Sequence, residues 1–287
     1  MVRLPWQVKI AAKMVLNRLP VPYSFWKGLG LFDSGQMDRP EYALKVFRHH
    51  YGATEFGHKR SGFVMLELGP GDSLASGVIA HCLGASRSYL VDANPYAKLE
   101  FGVYKSLLEY LAQQGLPTQS LADVTDVETL QRRCNLTYLT GGLESLRTIP
   151  EASVDFIWSQ AMMAMVHKRE VEPIFREFRR ILRPGGASSH RIDLADHINH
   201  SLNNLRFSEA QWNSRLMSGS GFYTNRLRYR DYLELFERTG FEVVGAGLEH
   251  WPTLPVPRSQ IHPDFHRHPD EELRIHQMDV VLRAAGG

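Results

Sequence analysis

Cysteine is scarce in this chain of 287 residues, with Cys82 and Cys134 the only two. Their separation matches no metal-binding spacing, so reduced thiols in a cytosolic protein are expected, not a disulfide framework. Charge of one sign is not in excess either. The 33 Lys and Arg against 31 Asp and Glu leave a formal +2, which gives no bias toward nucleic acid. No apolar run approaches the ~18 residues of a membrane span. The N-terminus has neither the apolar stretch nor the small-residue cleavage site of a secretion signal. What the chain does have is 43% apolar residues, enough at this length for a sizeable core in one decorated domain.

The densest information lies between Val64 and Asp92. Val64 to Leu68 is a short apolar run with one carboxylate, Glu67, and Gly69-Pro70-Gly71 then forces a sharp turn. Leu74, Val78, Ile79, Cys82 and Leu83 follow at helical spacing until Gly84, and Tyr89 to Val91 reads as a second strand ending in Asp92. Such a unit places a nucleoside outside the carboxyl ends of the strands, with the acid on the ribose hydroxyls. Asp92 stands 21 positions after Gly71, near the ~20 expected of that acid. A dinucleotide fingerprint wants a third glycine where Leu74 stands. Glu67 repels phosphate and favours a cationic ligand such as the ammonium of a methionine moiety, a requirement that S-adenosylmethionine fits.

At Glu67-Leu68-Gly69-Pro70-Gly71 the chain resembles the class I S-adenosylmethionine-dependent methyltransferases, of the type 11-like kind. Ser153 to Gln160 is similar to that family's fourth strand. Ile181-Leu182-Arg183-Pro184-Gly185-Gly186 is similar to the helix end and turn leading into its fifth. The similarity runs from about residue 60 to 245 in the family's order of elements. It implies a Rossmann-like, doubly wound α/β fold with a seven-stranded sheet, mostly parallel with an antiparallel last strand. Residues 1–58 are expected as an N-terminal helical cover and 59–287 as the cofactor-binding domain, with a substrate-lid insertion near 194–227. The resemblance assigns cofactor contacts to Glu67, Gly69, Gly71, Asp92 and Ala93, and to Ser159 and Gln160 at the fourth strand's end. Where the family usually carries an adenine-binding acid after the third strand, Asn135 to Thr140, this chain has Gly142. Leu143 with backbone groups is the expected substitute, and Glu144 the substitute acid or else a solvated carboxylate. Ala164-Met165 replaces a frequent Glu-His pair, and His167 reads as a surface histidine.

Outside the core, Pro5 to Leu19 predicts a helix with Val8, Ala11, Ala12, Val15 and Leu19 on its apolar face, ended by Pro20 and Pro22. It packs over the cofactor edge or, given Lys9, Lys13, Arg18, Trp6 and Trp26, lies on a membrane surface. Pro40 to Tyr51 predicts a second cover helix, and Gly28, Gly30 and Gly35 a movable loop between the two. Later, Ala97 to Gln114 and Tyr229 to Arg238 read as helices, Phe241 to Gly245 as strand six, and Gln277 to Leu282 as the last strand.

The densest ionisable cluster follows the fifth strand. His190, Asp193, Asp196 and His197 are candidate bases, with His197, flanked by Asp196 and near Asp193, the leading one. The same residue types suit a divalent metal, which is not favoured because no spacing is diagnostic. A structural reading also stands, in which Asp196 caps the next segment and the histidines bond backbone. His262, His266, His268 and His276 lie in a proline-marked loop and read as solvated. From Asn199 to Asn225 no orderly period appears. Asn204, Arg206, Trp212, Tyr223 and Asn225 there, with Arg226 just beyond, suit a polar, ring-bearing or anionic acceptor such as a sugar, a nucleotide sugar or a phosphorylated metabolite. The alternative is that Trp212 and Phe222 only anchor the loop. The expected activity is methyl transfer to a small polar acceptor, first of all a sugar hydroxyl. N-methylation, aminopropyl transfer and a non-catalytic cofactor-binding subunit are the alternatives.

Overall fold

The computed structural model describes residues 6–8, 10, 36–54 and 61–286. Its seven strands are Val64–Leu68 (β1), Arg87–Val91 (β2), Leu136–Leu139 (β3), Val154–Gln160 (β4), Leu182–Asp193 (β5), Phe241–His250 (β6) and Ile275–Ala284 (β7). They form one sheet in the order β3-β2-β1-β4-β5-β7-β6. The β1–β2, β1–β4, β2–β3 and β4–β5 pairs are parallel, and β7 runs antiparallel to both β5 and β6. This is the expected doubly wound, Rossmann-like sheet. Its order reverses between β1 and β4, so a crevice opens at their carboxyl ends.

The helices are Pro40–Ala53 (α1), Ala75–Cys82 (α2), Phe101–Gln113 (α3), Val127–Arg133 (α4), Leu143–Arg147 (α5), Lys168–Ile181 (α6), Glu209–Trp212 (α7), Arg215–Ser218 (α8), Tyr229–Arg238 (α9) and Asp270–Leu273 (α10). One face of the sheet, with Met65, Leu90, Phe156 and Trp158, packs against α1 to α4. The other, with Leu66, Val91, Ile157 and Val280, packs against α5, α6 and α9. All five residues of β1 are buried, because a central parallel strand covered on both sides has no solvent face to alternate toward. In α6, Val171, Ile174, Phe175, Phe178 and Ile181 are buried at the i, i+3, i+4 spacing of one helical stripe. Each such side chain contributes roughly 1.5–3 kcal/mol of burial. The exposed Glu172–Arg176 pair at 2.6 Å contributes far less.

Three boundaries differ from expectation. The Arg183-Pro184-Gly185-Gly186 segment is a bulge inside β5, where the register slips between Val154 opposite Leu182 and Phe156 opposite Ala187. Gly185 takes φ +73 there, and Arg183 ties the bulge to Asp155 at 2.6 Å. Strand six continues past Gly245 to His250 around a second bulge. The last strand starts at Ile275. In both cases the pairing of β6 with β7 extends residues whose own pattern is weak.

Most of the expected Pro5 to Leu19 helix lies outside the described residues, with Lys9, Lys13 and Arg18. So do Trp26, Gly28, Gly30, Gly35 and the expected boundary at 58/59. Of its described residues, Ile10 packs with Ile198, Trp212, Met217, Phe222 and Tyr223, and the Trp6 ring meets Phe207 edge-on at 6.0 Å. Cys82 and Cys134 are free thiols, and burial raises both, to about 11 and about 12. Among the described residues, no helix is long and apolar enough to cross a membrane.

Candidate functional site

The carboxyl ends of β1, β2 and β3 are joined by backbone. Gly69, at φ +78, donates its N–H to the Val91 carbonyl at 2.8 Å, and the Gly142 N–H reaches the Asp92 carbonyl at 2.8 Å. The Asp92 carboxylate accepts N–H groups from Gly71 at 3.2 Å and Ala93 at 2.7 Å. Burial raises the Asp92 carboxyl, against the backbone donors that lower it. A Cβ on Gly69 would stand 2.5 Å from Met162 Cγ, whereas a Cβ on Gly71, at φ +66, would meet nothing within 4 Å. Glycine therefore serves two ends in one turn: close packing of the β4 loop at Gly69 and free space at Gly71.

Glu67 corrects the expectation of an anion that attracts an ammonium. Its carboxyl is sealed under the first turn of α2, where the Ser76 hydroxyl donates to Oε2. Burial, only partly offset by that bond, raises it to about 8, so in the free protein it is mostly protonated at neutral pH. Oε1 is buried with no hydrogen-bond partner. An orphaned acceptor beside an open glycine turn fits a cationic donor, because an unmade buried hydrogen bond costs about 1–3 kcal/mol. The donor set therefore fits S-adenosylmethionine: a turn with room above Gly71, Asp92 for ribose hydroxyls and Glu67 beneath.

The rim beside Asp92 is preorganised. Tyr138 Oη receives the Tyr96 and Ala97 N–H groups at 3.0 and 3.3 Å, and Lys98 bonds Asp38 at the entrance to α1. Gly142 has φ +54 and ψ −126 just before α5. Leu143 is half-buried beside it. Glu144 is corrected as an adenine acid: its side chain is 74% exposed and paired with Arg147, which is the solvated alternative.

At the end of β4 the two expected cofactor contacts separate. Ser159 is fully buried and bonds His190 Nδ1 at 2.8 Å, so its hydroxyl faces the core instead of the crevice. Gln160 is half-buried, and its Oε1 lies 2.9 Å from His50 Nε2, while His50 Nδ1 lies 2.9 Å from the Ser189 hydroxyl. An amide oxygen only accepts, so the His50 proton sits on Nε2 and the serine donates to Nδ1. Burial lowers His50 to about 4, which keeps that single tautomer neutral. The sequence reading missed His50, although it falls on the buried stripe of α1 with Ala43 and Phe47. Immediately beyond Gln160, Ala161 has φ +56. A residue with Cβ costs roughly 1–3 kcal/mol in that region, and such strain clusters where a backbone must face a ligand.

Of the four candidate bases, two are corrected. His190 is fully buried, with Nδ1 and Nε2 bonded to Ser159 and Ser188 and its ring stacked on Phe178 at 5.6 Å. Burial drives it down to about 3. It pairs across the sheet with Ser159 and faces α6, short of the crevice. Asp196 Oδ1 accepts the Ile198 and Asn199 N–H groups at 2.9 and 2.7 Å, and Oδ2 accepts the Asn203 N–H at 2.7 Å. It is the cap of the structural alternative, with no oxygen left for a substrate proton. Asp193 ends β5 and is raised by burial against the opposing pull of His197, His200, Arg191 and His276. His197 is half-buried beyond it. Among the described residues no group of three or more His, Cys, Asp or Glu is gathered for a metal ion.

The insertion residues expected to meet the acceptor instead bind one another. Trp212 is fully buried and donates Nε1–H to the Thr224 carbonyl at 2.8 Å, and Asn204 Nδ2 bonds Thr224 Oγ1 at 2.9 Å. Asn225 Nδ2 holds the Met163 carbonyl at 2.7 Å and its backbone N–H the Ala164 carbonyl at 2.8 Å. Arg226 is buried over the Trp212 and Phe265 rings and bonds the Asn204 and Phe207 carbonyls and Glu209. Arg206 bonds Asn203 and Gln260 and stacks on Trp6. Tyr223 lines a cavity, with its hydroxyl bonded to Asn213 at 2.8 Å. Arg228, fully buried, likewise holds the Leu194, Leu273 and Ile275 carbonyls. Asn225 thus fastens the insertion to the β4 loop, the segment that touches Gly69 through Met162.

Residues 66–189 match the family model described as a methyltransferase domain. No curated protein matches the sequence. Among solved structures, the chain resembles the complex between the Haloferax volcanii Trm112 methyltransferase activator and the putative methyltransferase. The identity is 17% over 87% of this chain and 98% of that one, with a TM-score of 0.47. An S-adenosylmethionine-dependent methyltransferase from Methanosarcina mazei is 12% identical over 79% and 95%, with a TM-score of 0.46. The YcgJ protein from Bacillus subtilis is 14% identical over 85% and 98%, with a TM-score of 0.43.

Proposed function

We propose that this chain, which belongs to the S-adenosylmethionine-dependent class I methyltransferases through its domain at residues 66–189, methylates a hydroxyl of a small polar acceptor, a sugar or related metabolite. The observation that carries the acceptor half is the end of β5, where Asp193 stands among His197, His200 and His276. When bound, S-adenosylmethionine supplies an electrophilic methyl group on a positively charged sulfur. Gly71, Asp92, Ala93 and Leu143 would line its nucleoside end, and the Gly69–Gly71 turn with Glu67 buried beneath it would face the amino-acid end. Gln160, held by His50, and the strained Ala161 would orient the acceptor, since in-line displacement rewards fixed geometry above all. His197 would take the hydroxyl proton as the new carbon–oxygen bond forms and the methyl–sulfur bond breaks, its electron pair leaving with the then neutral sulfur, and Asp193 would steady the resulting imidazolium. Residues 1–58 would act as a cover and 194–227 as the acceptor wall, in a cytoplasmic enzyme that needs no nucleic acid.

The test is turnover with methyl-labelled cofactor across a sugar panel, in the natural chain and in His197→Ala. Turnover should fall by roughly 10²-fold or more, the usual worth of a positioned base, with adenosylhomocysteine affinity unchanged. Full activity of the variant at every pH would remove His197 from the chemistry. Cofactor binding without transfer to any acceptor would favour the non-catalytic subunit.

A further inference from the structure

A second cavity, of about 610 Å³, opens between the start of α6 and the insertion, lined by His167, Lys168 and Arg169 on one side and by Asn213, Arg215 and Tyr223 on the other. Three of its lining residues are cations and none is acidic. The acids near it are already in use. Glu209 answers two cations at once, Lys168 at 2.9 Å and the buried Arg226 at 3.2 Å. Glu170 meets Arg169 only loosely, at 3.6 Å. Arg215 pairs with no acid among the described residues. The cavity therefore carries net positive charge, and the positive end of the 14-residue α6 adds to the same field.

Its walls are built from packed parts. The Tyr223 and His167 rings lie 4.8 Å apart, and the Tyr223 hydroxyl accepts the Lys168 N–H at 3.4 Å while donating to Asn213 Oδ1 at 2.8 Å. The cavity is also tied to the crevice. The chain runs from Ala161, at the crevice, to His167, at the cavity, in six steps, at most about 20 Å when extended. A turn in which Met165 N–H meets the Met162 carbonyl at 2.9 Å shortens it.

We propose that this cavity binds the phosphate group of the acceptor, so that the preferred substrate is a phosphorylated or nucleotide-activated sugar and not the free sugar. The inference rests on the methyltransferase reading above and names the substrate class of the same enzyme. Guanidinium pairs match phosphate oxygens in geometry as well as charge. One acceptor would then hold its phosphate here and its hydroxyl near Ala161, across a separation that the six-residue link limits to about 20 Å. It also explains how an insertion whose Arg226 is buried contributes to recognition: it brings the exposed Arg215, with Tyr223, opposite the start of α6.

Calorimetry on the full chain with inorganic pyrophosphate and with a uridine diphosphate sugar tests this, comparing Arg169→Gln/Arg215→Gln with a charge-matched control, Lys105→Gln/Arg132→Gln. Both phosphate probes should bind the natural chain and the control. The first variant should bind them weaker by on the order of tenfold per removed charge-assisted bond. Adenosylhomocysteine should bind all three alike, which keeps this result separate from the cofactor reading: its failure to bind would sink the methyltransferase proposal without touching the phosphate measurement. No binding of either probe to the natural chain would overturn the phosphate site. So would an equal loss in the control pair, which would mark general charge attraction.

Discussion

The β1–β3 side of the crevice and the β5–insertion side hold their geometry by opposite means. On the first, three loops meet through backbone N–H groups and one carboxylate, Asp92, over a stretch of sequence from Glu67 to Gly142. On the second, buried side chains do the work: Trp212, Asn225, Arg226 and Arg228 bond carbonyls far from them in sequence. A backbone-built site tolerates exchange of its neighbours' side chains. One built from side chains has many partners that fail together when a member is removed.

Trp212→Ala tests that difference most severely. The residue is fully buried, and its loss should cost about 3–5 kcal/mol, seen as a separate early unfolding transition of the insertion. Adenosylhomocysteine binding at the β1–β3 edge should survive. Loss of that binding in step with the insertion would mean the two sides are one cooperative unit. Next in size, Asp92→Ala should weaken adenosylhomocysteine by roughly 1.5–3 kcal/mol, the worth of a hydrogen bond to a charged group. Unchanged calorimetric affinity would exclude Asp92 from the ribose site.

Glu67 and the two buried histidines also differ in the sign of their response to pH. Glu67 is raised from 4.5 to about 8, so between those values the unfolded chain releases a proton that the fold keeps, and stability falls as pH rises. His50 and His190 are lowered from 6.5 to about 4 and about 3. There the unfolded chain gains protons that the fold refuses, and stability falls as pH drops below 6.5. Glu67→Gln should remove the Glu67 contribution to a urea-unfolding profile between about pH 4.5 and 8 and leave the limb below about pH 4.5 in place. A variant whose two limbs both match the natural chain would show that Glu67 is not the group responsible. The smallest effect belongs to Glu144→Ala. Removing an exposed carboxylate whose pair is solvent-screened should change stability by less than about 0.5 kcal/mol and leave cofactor affinity alone. A clear loss of affinity would restore it as the adenine acid.

The legibility of the site followed the same division. Val64 to Asp92 could be read because strand, turn, helix and strand each carry their own local signature, and because the acid's distance from the glycine turn is set by one strand-helix-strand unit. His190 misled because a histidine near the end of a strand looks alike whether it faces the crevice or α6, and only the pairing with Ser159 and the stacking on Phe178 decide. The arginines and asparagines of the insertion misled for a related reason. Residue types suited to a polar ligand are equally suited to buried carbonyls, and 194–227 offers many of those carbonyls and little regular structure to satisfy them. His50 was passed over as one more residue on a helix, since its partners Gln160 and Ser189 lie more than a hundred positions away.

The order of local patterns along the chain determined by itself the doubly wound sheet, the glycine turn and the acid at the tip of β2, because periodicity and turn chemistry act over a few residues. Only the tertiary structure decided which polar groups are sealed and which face the crevice: that the Glu67 carboxyl is buried and raised well above the usual carboxylate range, that Asp196 is a cap, and that a positively charged cavity lies between α6 and the insertion. Burial and partner choice depend on segments that meet only after folding.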